Sequence, residues 1–152
     1  PRPIAPAHCP GPLPRPIAPA HCPDPIDSNG PPRDNSRMSA DCIFCKIANR
    51  SIPAPLLHDD PEIVAFRDIN PQAPTHILVV PRAHVRDLPE LVGRGEGPLA
   101  GRLLEVAATV AAAEGLGAGF RTVINTGAHG GQSVFHLHVH VLGGRALGWP
   151  PG

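Results

Sequence analysis

Near the end of the chain three histidines alternate with aliphatic residues, in Phe135-His136-Leu137-His138-Val139-His140-Val141-Leu142, just after the turn Gly130-Gly131-Gln132-Ser133. Along a strand, successive side chains point to opposite faces. His136, His138 and His140 would then share one face at intervals of about 6.5–7 Å, while Leu137, Val139 and Val141 turn into a core. Imidazole is the side chain best suited to act as nucleophile or proton carrier near neutral pH. A histidine that attacks phosphorus forms a labile phosphoramidate that water can later cleave. An ordinary solvated strand face would mix Thr, Lys, Glu and Ser, so this one points to phosphate chemistry. The turn supplies the complementary part: glycines such as Gly131 expose backbone N–H groups to a phosphate, and the Ser133 hydroxyl adds an adjustable donor or acceptor. A Gly-Gly pair alone more often marks only a tight hairpin; its place three residues before the histidines favours the phosphate reading.

A second chemical group is Cys42-Ile43-Phe44-Cys45, whose two thiols lie three residues apart. That spacing presents two thiolates to one ion, and His76 with His136 would complete a tetrahedral Cys2His2 zinc site. The other reading is two small, half-buried cysteines packed on one helical turn without metal. Both remain open at the level of sequence.

The histidine segment resembles the motif of the histidine triad superfamily of nucleotide hydrolases and transferases. The stretch from Phe66-Arg67-Asp68-Ile69-Asn70-Pro71 through Thr75-His76 to Pro81, then His84, and the ending Leu142-Gly143-Gly144-Arg145 with Trp149-Pro150-Pro151-Gly152, are similar to its HINT branch, the histidine triad nucleotide-binding proteins. The resemblance runs from about Asp41 to the last residue. It implies that His138 is the nucleophile on the α-phosphorus, that His136 and His140 flank it, and that His76 joins His136 in a supporting relay. It also implies that Asp68 binds the ribose hydroxyls, that Ile69 and Phe44 border the base, and that Asn125 and Gln132 lie near the substrate. Relatives with the cysteine pair are understood to hold zinc; no other cofactor is implied as essential. The expected activity is that of a purine nucleoside phosphoramidase, cleaving the phosphorus–nitrogen bond of AMP or GMP amides, with aminoacyl-adenylates as further substrates. Two alternatives stand beside it: a dinucleoside polyphosphate hydrolase of the same superfamily, and a nucleotide- or zinc-binding interaction protein with incidental hydrolysis. The resemblance further implies a homodimer whose sheet continues across the interface, and a C-terminal tail that influences substrate choice.

The elements that must carry these residues are legible in outline. Glu62 to Arg67 and His76 to Val80 read as strands, separated by a proline-stiffened loop. Pro98 opens a helix with Leu99, Leu103, Val106 and Val110 on one face, stopped by Gly115, Gly117 and Gly119. Arg121 to Asn125 is a further strand, and the histidine strand comes last. Strand runs around one main helix predict an α+β domain: an antiparallel sheet of about five strands with one long and one short helix.

Residues 1–37 are of another kind. Pro1 to Pro10 is repeated letter for letter by Pro14 to Pro23, and such proline density removes donors and forbids helix or central strand. We expect a disordered, locally extended arm, whose His8-Cys9 and His21-Cys22 pairs are more simply explained by the duplication than by a metal. Met38 is the single methionine, and residues 38–152 are long enough for one domain with a single core. Met38 is therefore an expected start or alternative start, and the arm is expected to be dispensable. The formal net charge of zero gives no electrostatic footprint for nucleic acid or an anionic membrane. No segment reads as a membrane span or secretory signal, and the expected compartment is the cytoplasm.

Overall fold

Ile63-Val64-Ala65-Phe66 and Ile77-Leu78-Val79-Val80 are runs rich in β-branched residues, apolar at every position rather than at every second one. Such runs suit strands covered on both faces. In the computed structural model, which describes residues 41–151, they are buried throughout. They form β2 (Ile63–Arg67) and β3 (Thr75–Pro81), antiparallel neighbours with Ala65 opposite Val79. β1 (Leu56–Asp59) pairs with β2 on one side across an irregularity between Leu56 and His58. On the other side β3 pairs with β5 (Val139–Gly143), and β5 with β4 (Phe120–Val123). The order β1-β2-β3-β5-β4 makes one antiparallel five-stranded sheet, the α+β architecture expected.

One face carries the long helix α3 (Gly97–Ala113). Its Leu103, Val106, Ala107 and Val110 pack on Ile63, Ala65, Ile77, Val79, Val139 and Val141. Proline in its first turn costs no hydrogen bond, since the N–H groups there have no helical partner. The opposite face is covered by α1 (Ile43–Ala48), whose Phe44 and Ala48 pack on Val64, Phe66, Leu78 and Val80. A further short helix α2 (Leu88–Gly93) lies between β3 and α3. Among the described residues there are therefore two short α-helices where one was expected. None of the described helices is long and apolar enough to cross a membrane. The proline-rich arm, with His8-Cys9, His21-Cys22 and Met38, lies outside the described residues.

The histidine strand is shorter than its alternating pattern suggests. β5 begins only at Val139, and His136 and His138 sit on the approach to it. In the register that pairs Val79 with Val139, Pro81 falls near Leu137 and has no N–H to extend the ladder. Leu137 N–H donates instead to Val85 O, 2.6 Å away, in the loop after β3. The inside–outside alternation also breaks down, because His136 and His138 are as buried as Leu137.

Candidate active site and metal centre

β3, β5 and the residue just before β5 present His76, Leu78, His138 and His140 on the α1 side of the sheet, where a cleft of about 630 Å³ opens. That is ample for a mononucleotide-sized ligand. The cleft lining is partly apolar, with Phe44, Ile47, Ile52, Pro53 and Leu78, and partly polar, with Asp68, His76, Ser133, His138 and His140. Ile69 stands fully exposed at the rim.

Hydrogen bonds fix the state of the imidazoles. His138 Nδ1 lies 2.7 Å from the carbonyl oxygen of His136. A carbonyl only accepts, so Nδ1 carries the proton and Nε2 keeps its lone pair. Burial holds His138 below the usual histidine pKa, partly offset by that carbonyl and by Asp68, so the ring stays neutral. The Phe44 ring meets it edge-on at 5.2 Å between centroids.

A chain of donors begins at Gln72, whose backbone N–H donates to His76 Nδ1 at 3.2 Å. His76 must then carry its proton on Nε2, which lies 2.8 Å from His140 Nδ1 and 3.5 Å from Asp68 Oδ2. The 5.1 Å between the two ring centroids fits an in-line hydrogen bond. His140 Nδ1 is thereby the acceptor and its proton sits on Nε2; Asn125 Nδ2, 3.5 Å away, is a donor too, so the amide must turn its oxygen to this proton to bond it. His140 is held down to about 4 by burial and by His138 and His76, and so is a neutral donor.

His76 therefore supports His140, not His136 as the sequence reading had it. His136 faces away from the cleft: its Nε2–H donates to Pro81 O at 2.8 Å. Its Nδ1 lone pair meets the sulfurs of Cys42 and Cys45, each at 3.4 Å. Burial takes His136 down to about 4, against a smaller upward push from the Pro81 carbonyl.

The fourth group at those sulfurs is His84, with Nδ1 3.2 Å from Cys45 Sγ. The expected zinc set of Cys42, Cys45, His76 and His136 is corrected on this point. His76 is committed to Asp68 and His140, and the loop after Pro81 brings His84 in its stead. The four ligand atoms of Cys42, Cys45, His84 and His136 lie within 4.8 Å of one another. A zinc tetrahedron with Zn–S of about 2.3 Å and Zn–N of about 2.0–2.1 Å has sulfur–nitrogen edges of about 3.5 Å. The observed 3.2–3.4 Å edges are close to that, so the residues fit the ion. Cys45 shows the electrostatic side of the same fit: burial first, and Cys42 beside it, push its thiol up to about 12. A cation between the sulfurs offsets both effects.

Gln132 also departs from its expected place near the substrate. It is buried, its Oε1 accepts from Gly127 N–H at 2.9 Å, and its Nε2 donates to Arg86 O at 2.7 Å and Val134 O at 3.2 Å. With both ends of the amide used, it braces the turn internally. Gly131, at φ 78°, occupies the left-handed conformation that lets the turn close, and Ser133 follows it to the cleft wall. Asn125 reaches the site through His140. The sequence reading cited His84 only as part of the family resemblance. Cysteines and histidines far apart in sequence leave no spacing that shows which of them converge.

The HIT domain pattern matches residues 49–147. The chain belongs to the HIT family. It is 53% identical over 115 residues to an uncharacterised HIT-like protein of Synechococcus elongatus, covering 76% of this chain and all of that one. It is 50% identical over 113 residues to a maize protein called 14 kDa zinc-binding protein, covering 72% of this chain and 87% of the relative. Among solved structures, a HIT family hydrolase from Legionella pneumophila superposes with a TM-score of 0.70 at 47% identity, covering 74% of this chain and all of that one.

Proposed function

We propose that this HIT protein is a purine nucleoside phosphoramidase of the HINT branch, hydrolysing the phosphorus–nitrogen bond of AMP or GMP amides. The observation that carries the reading is the fixed state of His138: neutral, protonated on Nδ1, with a free Nε2 lone pair in a nucleotide-sized cleft. Nε2 attacks the α-phosphorus, the P–N bond breaks, and the amine leaves with a proton taken from solvent, which the later hydrolytic water returns. Water then cleaves the nucleotidyl-histidine, releasing the mononucleotide and regenerating His138. The Nε2–H of His140 donates to a phosphate oxygen, where negative charge grows in the transition state. Ser133, Asp68, Phe44 and Ile69 all line the cleft; on this reading Ser133 adds a hydroxyl to the phosphate site, Asp68 binds the ribose hydroxyls, and Phe44 and Ile69 border the base. Steady-state hydrolysis of adenosine 5'-phosphoramidate tests the scheme. His138→Ala is expected to lower kcat by at least about three orders of magnitude while AMP binding persists. Equal turnover by wild type and variant would remove His138 from the chemistry. Nucleotide binding without turnover in either would favour the interaction-protein reading.

The same reading includes a structural zinc on Cys42, Cys45, His84 and His136, supported by the donor spacing and by the name of the maize relative. Zinc bound there would neutralise the two thiolates and fix the His136 ring. Elemental analysis of untagged protein purified without chelator is expected to give about one zinc per chain; a ratio near zero overturns this part. A homodimer and a cytoplasmic location complete the proposal.

A further inference from the structure

The thiol pair is mechanically joined to the nucleophile through His136. Both sulfurs face His136 Nδ1 at 3.4 Å, His136 Nε2–H is held by Pro81 O at 2.8 Å, and His136 O accepts the Nδ1–H of His138 at 2.7 Å. Because Nε2 carries the His136 proton, Nδ1 can only accept. In the metal-free protein its donor must be an S–H of Cys42 or Cys45. His136 itself is fully buried, so no water replaces that donor, whereas both cysteines are partly exposed and reachable by a small oxidant. The sulfurs sit at the start of α1, three residues apart and within 4.8 Å, close enough to join with a small side-chain movement.

We propose that Cys42 and Cys45 form a reversible disulfide on exposure to a peroxide, and that this modification switches off the His138 site. One thiolate attacks a peroxide oxygen, giving a sulfenic acid and hydroxide, which takes up a proton as water. The second thiol then displaces the sulfenic hydroxyl as water. In sum, two thiols and one hydrogen peroxide give one disulfide and two waters. If zinc is bound, the two thiolates, the peroxide and two protons give the disulfide, free zinc and two waters. The S–S bond of about 2.05 Å draws the sulfurs together and leaves neither an S–H for His136 Nδ1 nor a thiolate for a metal. His136 then loses its fixed position, and with it the carbonyl that orients His138. The effect on catalysis rests on His138 being the nucleophile; formation of the disulfide does not.

The test uses the full chain as purified and, in parallel, a Cys9→Ser/Cys22→Ser variant, which removes the two thiols of the arm. Each is treated with a few equivalents of hydrogen peroxide, then with dithiothreitol and zinc. The readouts are intact mass, peptide mapping, zinc release to a chromophoric chelator, and kcat and KM on adenosine 5'-phosphoramidate. The expected result is a loss of two hydrogens mapped to a Cys42–Cys45 link, release of any zinc in step with it, and a fall in kcat of at least about tenfold with KM little changed. All of these should reverse on reduction. A Cys42–Cys45 link that leaves kcat intact overturns the switch, and oxidation that stops at other residues or never links this pair overturns the site. If the untreated protein shows no turnover, the phosphoramidase reading has failed, and mass and zinc release still decide whether the disulfide forms.

Discussion

A neutral imidazole attacks phosphorus and a protonated one does not, so the charge state of His138 sets the acid side of any activity profile. Burial lowers its pKa, and His140 beside it is held down to about 4. His140 therefore stays neutral well below the usual histidine value of about 6.5, and His138 is shifted in the same direction. The acid limb of kcat for phosphoramidate hydrolysis is expected below pH 6.5, with a flat profile through neutrality. A profile that already falls between pH 7.5 and 6.5 would mean that the rings are solvated and ordinary. His138 and His140 were legible because their spacing is local. The grouping of His136 with Cys42 and Cys45 was also read correctly, but the partners of His76 were not: it turned to His140, and His84 took its place beside His136 and the cysteines. Which imidazole meets which is decided by the packing of β3, β5 and α1.

Elements with long apolar patterns were read correctly, and so was the short β4, whereas β1 and α2 were missed. β2, β3 and α3 carry enough periodicity to be recognised. β1 has only Leu56 and Leu57 after two prolines, and its burial alternates weakly. α2 had an unused signal in Arg86-Asp87-Leu88-Pro89-Glu90. Asp87 Oδ1 accepts from Glu90 N–H at 3.0 Å, and Glu90 Oε2 accepts from Arg86 N–H at 2.5 Å, a reciprocal cap around a first-turn proline. The Gly143-Gly144 pair was cited for resemblance alone, and its physical role is close packing where β5 ends. Gly144 has φ 84°, and a Cβ added there would lie 2.9 Å from Pro74 Cβ. Gly144→Ala combines an unfavourable backbone with a rigid neighbour and is expected to cost about 1–3 kcal/mol. Denaturant unfolding measures it, and a loss under about 0.5 kcal/mol would show that the loop yields freely.

At the scale of the whole molecule, the sheet ends in an edge that invites a second copy. β4 is one of the two terminal strands, and among the described residues no strand pairs with its outer edge, whose N–H and C=O groups form a template for another strand. Phe120 in β4 is 42% exposed and Leu104 on the outer side of α3 is 47% exposed. Around Leu104, Gly101 and Ala108 are small and exposed, so the helix surface admits close approach. A twofold pairing of β4 edges with α3 against α3 would cover both apolar side chains together and join two five-stranded sheets into one. The sequence alone left this open, because an alanine-rich helix face can equally pack inside its own domain. Here Leu103, Val106 and Val110 take the inner face and leave Leu104 outside. Sedimentation equilibrium at micromolar concentration is expected to give twice the chain mass, and Leu104→Glu, which places a charge on each side of the twofold axis, to shift the protein toward monomer. A wild-type monomer under the same conditions would leave the β4 edge without a second copy to pair with.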